Sequence, residues 1–342
     1  MSLSMSTPPF ADIDSLRALC REPALSDPIA INQIAEREAT LTKPAGSLGR
    51  LEELTSWLGA WQRRSTPRLE RVQTIIFAGN HGVAAQGVSA WPSDVTALMV
   101  QNFRNGGAAI NQLSRYAGTT LTVETLEDLR PTADFTQTAA MDDETFLRTL
   151  TRGFNAVSPE TDLLCLGEMG IGNTTPAAAL SAALFGGDGK EWAGRGAGND
   201  DDAMLRKISA IDRALELHRS SFADPLQIAR RLGGHELAAI MGAVIAARMH
   251  GIPMLLDGFV CTAAVAPLYV LHPEGLTHCR ISHCSAEPGH IRLATLLGQK
   301  PLLDFGLRLG EASGATLAVP LIRAALACHT GMHTFAEAGI AG

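Results

Sequence analysis

A single carboxylate near the carboxyl end of the chain has the surroundings of a general base. Glu311 follows Gly310 in the segment LDFGLRLGEASGAT (residues 303–316) and precedes a run of small residues. A carboxyl group among small and apolar residues is partly desolvated, which raises its pKa toward the range of a useful base. The alternative is a glutamate near a helix N-terminus, whose pKa would be lowered instead. The residues alone leave both interpretations open.

The glycine-rich segment GEMGIGNTTPAAALSAAL (167–184) is typical of an anion-binding turn before a helix. Glycines let backbone N–H groups approach a phosphate or carboxylate, and Pro176 suits the first turn of the helix that follows. The candidate phosphate contacts are Gly170, Gly172, Asn173, Thr174 and Thr175. The alternative is an ordinary strand–turn–helix connection. The segment is neither a P-loop nor a good dinucleotide fingerprint, because the required spacings are missing.

A second glycine-rich turn lies in GRGAGNDDDAMLRK (194–207) and provides Gly196, Gly198 and Lys207 as further phosphate contacts. The alternative is a flexible loop in which the three aspartates begin a helix, where the helix dipole favours them. Those aspartates could suggest Mg²⁺. The hydroxyl- and glycine-rich tail of a diphosphate-type phosphoribosyltransferase loop does not follow them, however.

Histidines and cysteines cluster in THCRISHCSAEPGH (277–290), but their spacing fits no structural zinc pattern. We expect buried thiols and loop histidines there and no metal. Ser285 is the better candidate, because the turn around it can present hydroxyl and N–H groups to a ligand.

The elements that must position these residues are strands of a parallel sheet. Three apolar runs, at 72–78, 162–166 and 252–256, end in polar, glycine-containing turns that contain His81, Glu168 and Gly258. Such runs, alternating with helical stretches, indicate a parallel sheet covered on both faces. Ligands bind beyond the carboxyl ends of such strands, so the three turns are expected to converge. A strand near 121–123 is also predicted.

Helical spacing predicts helices over residues 10–65, separated by the loop at 43–49, and an apolar helical tail at 317–335 that returns to the N-terminal helices. With 342 residues and 46% hydrophobic residues the chain can bury a large core, and the net charge of −7 argues against nucleic-acid binding. Six scattered cysteines suit reduced thiols in the cytoplasm. Neither a secretory signal nor a membrane span is expected.

Taken together, these segments resemble one family, because further motifs occur in order with them. The motifs are TKPAGSLGRLEEL (42–54), FAGNHGVAAQGVSAWPSDVT (77–96), NGGAAINQL (105–113), GEMGIGNTTPAAAL (167–180), GRGAGNDD (194–201), GGHELAAIMGA (233–243), SHCSAEPGH (282–290), LRLGEASGA (307–315) and GMHTFAEAG (331–339). The sequence is similar to the nicotinate-nucleotide:dimethylbenzimidazole phosphoribosyltransferases over residues 35–340. Residues 121–150 match the family only loosely. This departure bears on base selectivity and local loop geometry, and not on the class of reaction.

The resemblance implies transfer of the 5-phosphoribosyl group from nicotinate mononucleotide to 5,6-dimethylbenzimidazole, with inversion at the anomeric carbon, in the assembly of the cobalamin nucleotide loop. Glu311 corresponds to the general base, while Glu168 is expected to hold the ribose hydroxyls or to share the base role. Leu309 and Gln86, with His81 nearby, correspond to the base pocket. The phosphoribosyl contacts implied are Gly170–Thr175, Gly196, Gly198, Lys207, Gly258, Ser285 and Gly314.

The predicted fold is α/β, with a Rossmann-like, mostly parallel sheet covered by helices. Residues 66–316 form the large domain, which binds the phosphoribosyl group and the base, and residues 1–65 and 317–342 form a small helical domain. The resemblance also implies a homodimer that acts on small molecules, and the cysteine usage predicts a cytoplasmic location. No cofactor and no metal are expected. No nucleic-acid or membrane partner is expected either.

The sequence leaves three alternatives open. The first is a phosphoribosyltransferase of the same fold that acts on another base, such as adenine or a phenolic acceptor. The second is a non-catalytic nucleotide-binding protein, for which loss of Glu311 would have been the signature; Glu311 is present. The third is a nicotinamide-dependent oxidoreductase, which the poor dinucleotide fingerprint disfavours.

Overall fold

The computed structural model describes residues 8–22, 26–198 and 200–340. Its strands are β1 (Val72–Ala78), β2 (Thr120–Thr125), β3 (Leu163–Met169), β4 (Met254–Leu256) and β5 (Cys279–Ile281). Its α-helices are α1 (Ile13–Arg21), α2 (Pro28–Thr40), α3 (Arg50–Gln62), α4 (Val95–Arg104), α5 (Ala109–Ala117), α6 (Asp143–Ala156), α7 (Thr174–Phe185), α8 (Gly189–Trp192), α9 (Asp201–His218), α10 (Pro225–Leu232), α11 (His235–His250), α12 (Phe259–Leu271), α13 (Pro288–Leu296) and α14 (Ser313–Gly331).

The strands of the described residues form one parallel sheet in the order β2–β1–β3–β4–β5. The predicted α/β class and parallel sheet are therefore confirmed. The run at 72–78 is β1 in full, whereas the run at 162–166 extends to Met169 and thus includes Glu168. The third run shortens to Met254–Leu256, and β5 was not predicted from the sequence.

Alternate residues of each central strand point to opposite faces of the sheet, and both faces are buried. Ile75 and Leu164 pack in one apolar cluster with residues of α6, α7, α11 and α12. Ile76 and Cys165 pack in a second cluster with residues of α3, α5 and α14. Each buried Leu or Ile side chain contributes about 1.5–3 kcal/mol. This explains why these strands are continuous apolar runs.

The helices from the two ends of the chain meet, as the sequence predicted. α2 packs on α3, and α3 packs on α14. α14 also lies against α5 and β3, so the C-terminal helix covers one face of the sheet as well. The division into residues 1–65 with 317–342 and residues 66–316 stays a prediction.

The six cysteines all carry free thiols, and burial raises the pKa of Cys20 to about 11. Within the described ranges, no helix is both long and apolar enough to cross a membrane.

Candidate active site

The strand order places a topological switch point between β1 and β3. The chain passes from β1 to β2 on one side and then returns to β3 on the other side. Crevices form at such points beyond the carboxyl ends of the strands, because the adjoining connections turn in opposite directions. A cleft of about 410 Å³ lies there, and its walls include residues that follow β1, β3, β4 and β5.

Many of the residues predicted from the sequence meet in this cleft. Its walls include Glu168, Gly170, Gly172, Asn173, Thr174, Gly196, Gly258, Ser285, Leu309 and Glu311. Glu168 and Glu311 are 143 positions apart in the chain, yet the Glu311 N–H donates to the Glu168 carbonyl oxygen over 3.3 Å. The sheet edge thus brings two candidate carboxylates, the glycine turn and a base-pocket residue into one cavity.

The glycine turn ends in the N-terminus of α7 at the cleft wall. Gly172 has φ of +85°, and the Thr175 N–H closes a turn onto the Gly172 carbonyl oxygen at 2.9 Å. α7 then begins at Thr174, with Pro176 as its third residue. The positive end of the helix dipole favours an anion at this wall. This wall can therefore hold a phosphate.

Lys207 lies directly behind the same wall. Its ammonium group donates to Thr174 Oγ1 over 2.7 Å and to the Gly194 carbonyl oxygen over 2.8 Å. Burial lowers the pKa of Lys207 to about 8. The lysine thus joins α9 to the two glycine-rich segments and places a cationic group behind the N-terminus of α7.

Glu311 lies in a strained turn. Gly310, Glu311 and Ala312 all have positive φ angles, of 81°, 63° and 63°. Left-handed backbone at a residue other than glycine costs about 1–3 kcal/mol and persists only where surrounding contacts impose it. Here the turn packs closely against Gly167 of β3: a methyl group built on this glycine would lie only 2.0 Å from the Ala312 nitrogen.

The two carboxyl groups have strongly raised pKa values. Glu311 is 5% exposed, and burial, with the nearby Asp257 as a smaller cause, raises its pKa to about 7. Burial also raises the pKa of Glu168 to about 8, against the opposing hydrogen bond from the Asn173 amide. Of the two interpretations of Glu311, the structure supports the desolvated carboxyl group. Groups that titrate near neutral pH can exchange protons with a substrate.

A family model described as phosphoribosyltransferase matches residues 24–340. The chain belongs to this phosphoribosyltransferase family. A nicotinate-nucleotide–dimethylbenzimidazole phosphoribosyltransferase of Mesorhizobium japonicum is 59% identical over 97% of this chain and 99% of its own length. One from Brucella anthropi is 49% identical over 99% of both chains. The crystal structure of the enzyme of that name from Thermus thermophilus aligns with a TM-score of 0.84 at 40% identity, covering 92% of this chain and 99% of that one.

Other predicted residues of this phosphoribosyltransferase do not line the cleft. Thr175 is fully buried, and Gly198 and Gly314 lie outside the walls, as does Lys207. The Gly314 N–H donates to Asp257 Oδ1 over 2.8 Å. Gln86 is bonded to Asp134 and Arg213, with Nε2–Oδ2 and Oε1–Nη2 distances of 2.6 and 2.9 Å. His81 is buried against Glu236.

The cleft also contains residues that the sequence had not singled out. Glu287 Oε1 accepts from the Gly196 N–H over 2.9 Å, and Arg308 donates to the Gly196 carbonyl oxygen over 3.1 Å. Trp91 and Met99 add apolar surface. Trp91 and Glu287 both lie in motifs that carried the resemblance, so the motif was a signal but the individual residue was not.

The histidines and cysteines of residues 277–290 are expected from the sequence to be buried thiols and loop histidines that hold no metal. Within the part of the chain that the structure describes, no three His, Cys, Asp or Glu side chains are grouped to hold a metal ion. His278 is fully buried and its ring bonds the Val244 carbonyl oxygen at 3.0 Å. His290 Nδ1 accepts from the Ser285 N–H at 2.9 Å. Both rings are therefore engaged within the fold, and His290 holds the Ser285 backbone at the cleft wall.

Proposed function

We propose that the chain transfers the 5-phosphoribosyl group of nicotinate mononucleotide to 5,6-dimethylbenzimidazole, giving α-ribazole 5′-phosphate and nicotinate. This reaction belongs to the assembly of the nucleotide loop of cobalamin. Relatives of this name, at 59% and 49% identity over nearly the whole chain, support the choice of substrates. The observation that carries the proposal is the buried Glu311 carboxyl group, with a pKa near 7, in the cleft that also contains an anion-binding helix N-terminus.

The charges of the reaction explain why carboxylates suit this cleft. The glycosidic bond of the donor breaks with its electron pair moving to a pyridinium nitrogen, which leaves as a neutral ring and needs no acid. A nitrogen lone pair of benzimidazole forms the new bond to C1′ on the opposite face, so the configuration inverts. The attacking ring becomes cationic until its other nitrogen loses a proton. Glu311 accepts that proton and stabilises the developing charge.

The remaining roles follow from the walls of the cleft. The 5′-phosphate binds at the N-terminus of α7 and at Gly196 and Ala197 of the second glycine-rich turn, with Lys207 supplying charge from behind Thr174. Leu309 and the apolar residues Trp91 and Met99 form the surface for the base. Glu168 faces the ribose, where its protonated carboxyl group can donate to a hydroxyl. Holding donor and acceptor in line supplies much of the rate enhancement.

The first test is an assay with both substrates and no added metal, in which nicotinate and α-ribazole 5′-phosphate are quantified by chromatography. Equal amounts of the two products support the proposal. Nicotinate release without the second product identifies a hydrolase or a different acceptor, which a panel of purines and phenols would reveal. A folded protein that binds the nucleotide without releasing nicotinate would overturn the proposal in favour of a binding protein.

We also propose a cytoplasmic homodimer. Large apolar side chains are exposed at and beside the cleft, since Trp91, Leu98 and Leu309 are 54%, 68% and 54% exposed. Large apolar side chains left exposed on a single subunit are common at protein interfaces. Six free thiols suit a reducing compartment. Light scattering during size-exclusion chromatography tests the dimer, and a monomeric mass at micromolar concentration would refute it.

A further inference from the structure

A buried pair of polar side chains lies behind the cleft and takes no direct part in the proposed reaction. His81 follows β1, and Glu236 is the second residue of α11. His81 Nε2 and Glu236 Oε1 are 2.6 Å apart, and the residues are 2% and 0% exposed. Neither lines the cleft. A buried carboxylate is costly unless its position is useful or well paired.

The pair packs closely against the backbone that forms the cleft wall. A methyl group built on Gly170 would lie 2.7 Å from Glu236 Oε1 and 3.2 Å from His81 Nε2. One built on Gly79 would lie 2.8 Å from Glu236 Oε2. The Gly79 N–H also donates to the Met169 carbonyl oxygen over 3.0 Å. Glycine at these positions therefore allows the pair to touch the turn that begins the phosphate-binding wall.

One polar atom of each side chain in the pair makes no hydrogen bond to the described residues. Glu236 Oε2 and His81 Nδ1 have no hydrogen-bond partner within the described ranges. The carboxylate is thus held by one bond to the imidazole, and its field reaches its neighbours through a medium of low dielectric constant. After burial, the charge of Glu236 is the first of the causes that raise the pKa of Glu168; Asp257 and Glu311 follow.

We propose that the His81–Glu236 pair is a positioning device: it fixes the Gly170 end of the phosphate-binding turn and sets the electrostatic environment of Glu168. The proposal deepens the proposed function. Only its measurements of kcat and kcat/KM rest on that function, because the titration of Glu168 needs no reaction. The titratable groups facing the pair are Glu168 from β3 and His235 from the start of α11. The charges of Glu127 and Arg148 in turn shift the pKa of His235, in opposite directions.

The decisive variant is Glu236→Gln, which keeps the shape of the side chain and removes its charge. In the protein labelled with ¹³C at glutamate carboxyl carbons, the Glu168 resonance is assigned by its loss in Glu168→Gln. Its titration midpoint in Glu236→Gln should fall by about 0.5–1 pH unit, since one like charge has been removed. The limb of the kcat/KM profile that belongs to Glu168 should move with it.

The control is Asp162→Asn, which removes another mostly buried carboxylate at the opposite end of β3, where it accepts from the Glu70 and Arg71 N–H groups. It should lower stability and leave the Glu168 midpoint unchanged. Glu236→Asp keeps the charge but moves it by one methylene, so kcat should fall about tenfold while the midpoint stays near that of the wild type.

An unchanged Glu168 midpoint in folded Glu236→Gln overturns the electrostatic part of the proposal. If that variant does not fold, Glu236→Asp decides, and an unchanged kcat in it overturns the positioning part. The carboxyl titration needs no turnover, so it separates failure of this proposal from failure of the proposed function.

Discussion

Replacing Glu311 by glutamine should stabilise the protein and inactivate it at the same time. Burial raises the pKa of this carboxyl group from 4.5 to about 7. At pH 8 the folded protein must hold the ionised form in a site that disfavours it. The difference in pKa corresponds to at most about 3 kcal/mol, and we expect a gain of about 1–2 kcal/mol, since the amide is also desolvated.

The sign of the pH dependence follows from proton binding. Below pH 4.5 the carboxyl group is protonated in both the folded and the unfolded protein, so the substitution gains little. Between pH 4.5 and 7 the folded protein binds more protons than the unfolded one, and wild-type stability falls as the pH rises. The advantage of Glu311→Gln should therefore grow across this window and stay constant above it.

Activity should change in the opposite direction. Loss of a general base costs about 10²–10⁴-fold in rate, so we expect kcat to fall about 10³-fold while nicotinate mononucleotide still binds. Urea unfolding at pH 5 and pH 8, calorimetric binding and product chromatography measure the three quantities. Glu36→Gln, on the exposed side of α2, is the matched control and should change none of them. A variant with near-wild-type turnover, or with stability lost equally at both pH values, would refute the reasoning.

Three further predictions follow. Lys207→Met should raise the Kd of the nucleotide about 10–100-fold at pH 7 by calorimetry, and wild-type affinity should itself weaken above pH 8, where the buried ammonium loses its proton. Gly167→Ala should destabilise the protein by about 2–4 kcal/mol in urea unfolding, because its methyl group would lie 2.0 Å from the Ala312 nitrogen; unchanged stability would contradict this. Activity should persist in EDTA, because the leaving pyridinium is already cationic; strict Mg²⁺ dependence would overturn the mechanism.

The sequence predicted the central strands well because both their faces are buried. β1 is a short, largely apolar run rich in β-branched residues and is followed by Gly79, a pattern that suits a strand buried on both faces. β2 is only partly buried along its length, at the edge of the sheet, so its polar residues weakened the pattern. β5 has three residues, too few to establish a period.

The candidate site was predictable in its parts but not in its arrangement. The glycine turns and Glu311 could be identified because their residue types suit one chemistry. The contact between β3 and the turn at 310–312 depends on Gly167 facing Ala312, which no local pattern reveals. His81 lies after a strand, as expected for a ligand contact, yet the start of α11 brings Glu236 against it and holds its ring within the protein.

The distribution of charge in the cleft follows the charges of the proposed reaction. A phosphorylated sugar by itself would call for a site lined with cations, but Glu168, Glu287 and Glu311 all reach the walls of this one. The positive end of the α7 dipole faces the phosphate position, and the lysine charge remains one layer behind it, on Thr174. The carboxyl groups are then left to face the pyridinium, the ribosyl cation that develops at C1′ and the benzimidazolium. The pyridinium is cationic before it departs, whereas positive charge develops at C1′ and on the attacking benzimidazole only as the transition state forms. Glu311 stabilises that developing charge, while the protonated Glu168 donates to a ribose hydroxyl, so the carboxylate acts where the charge changes during the reaction.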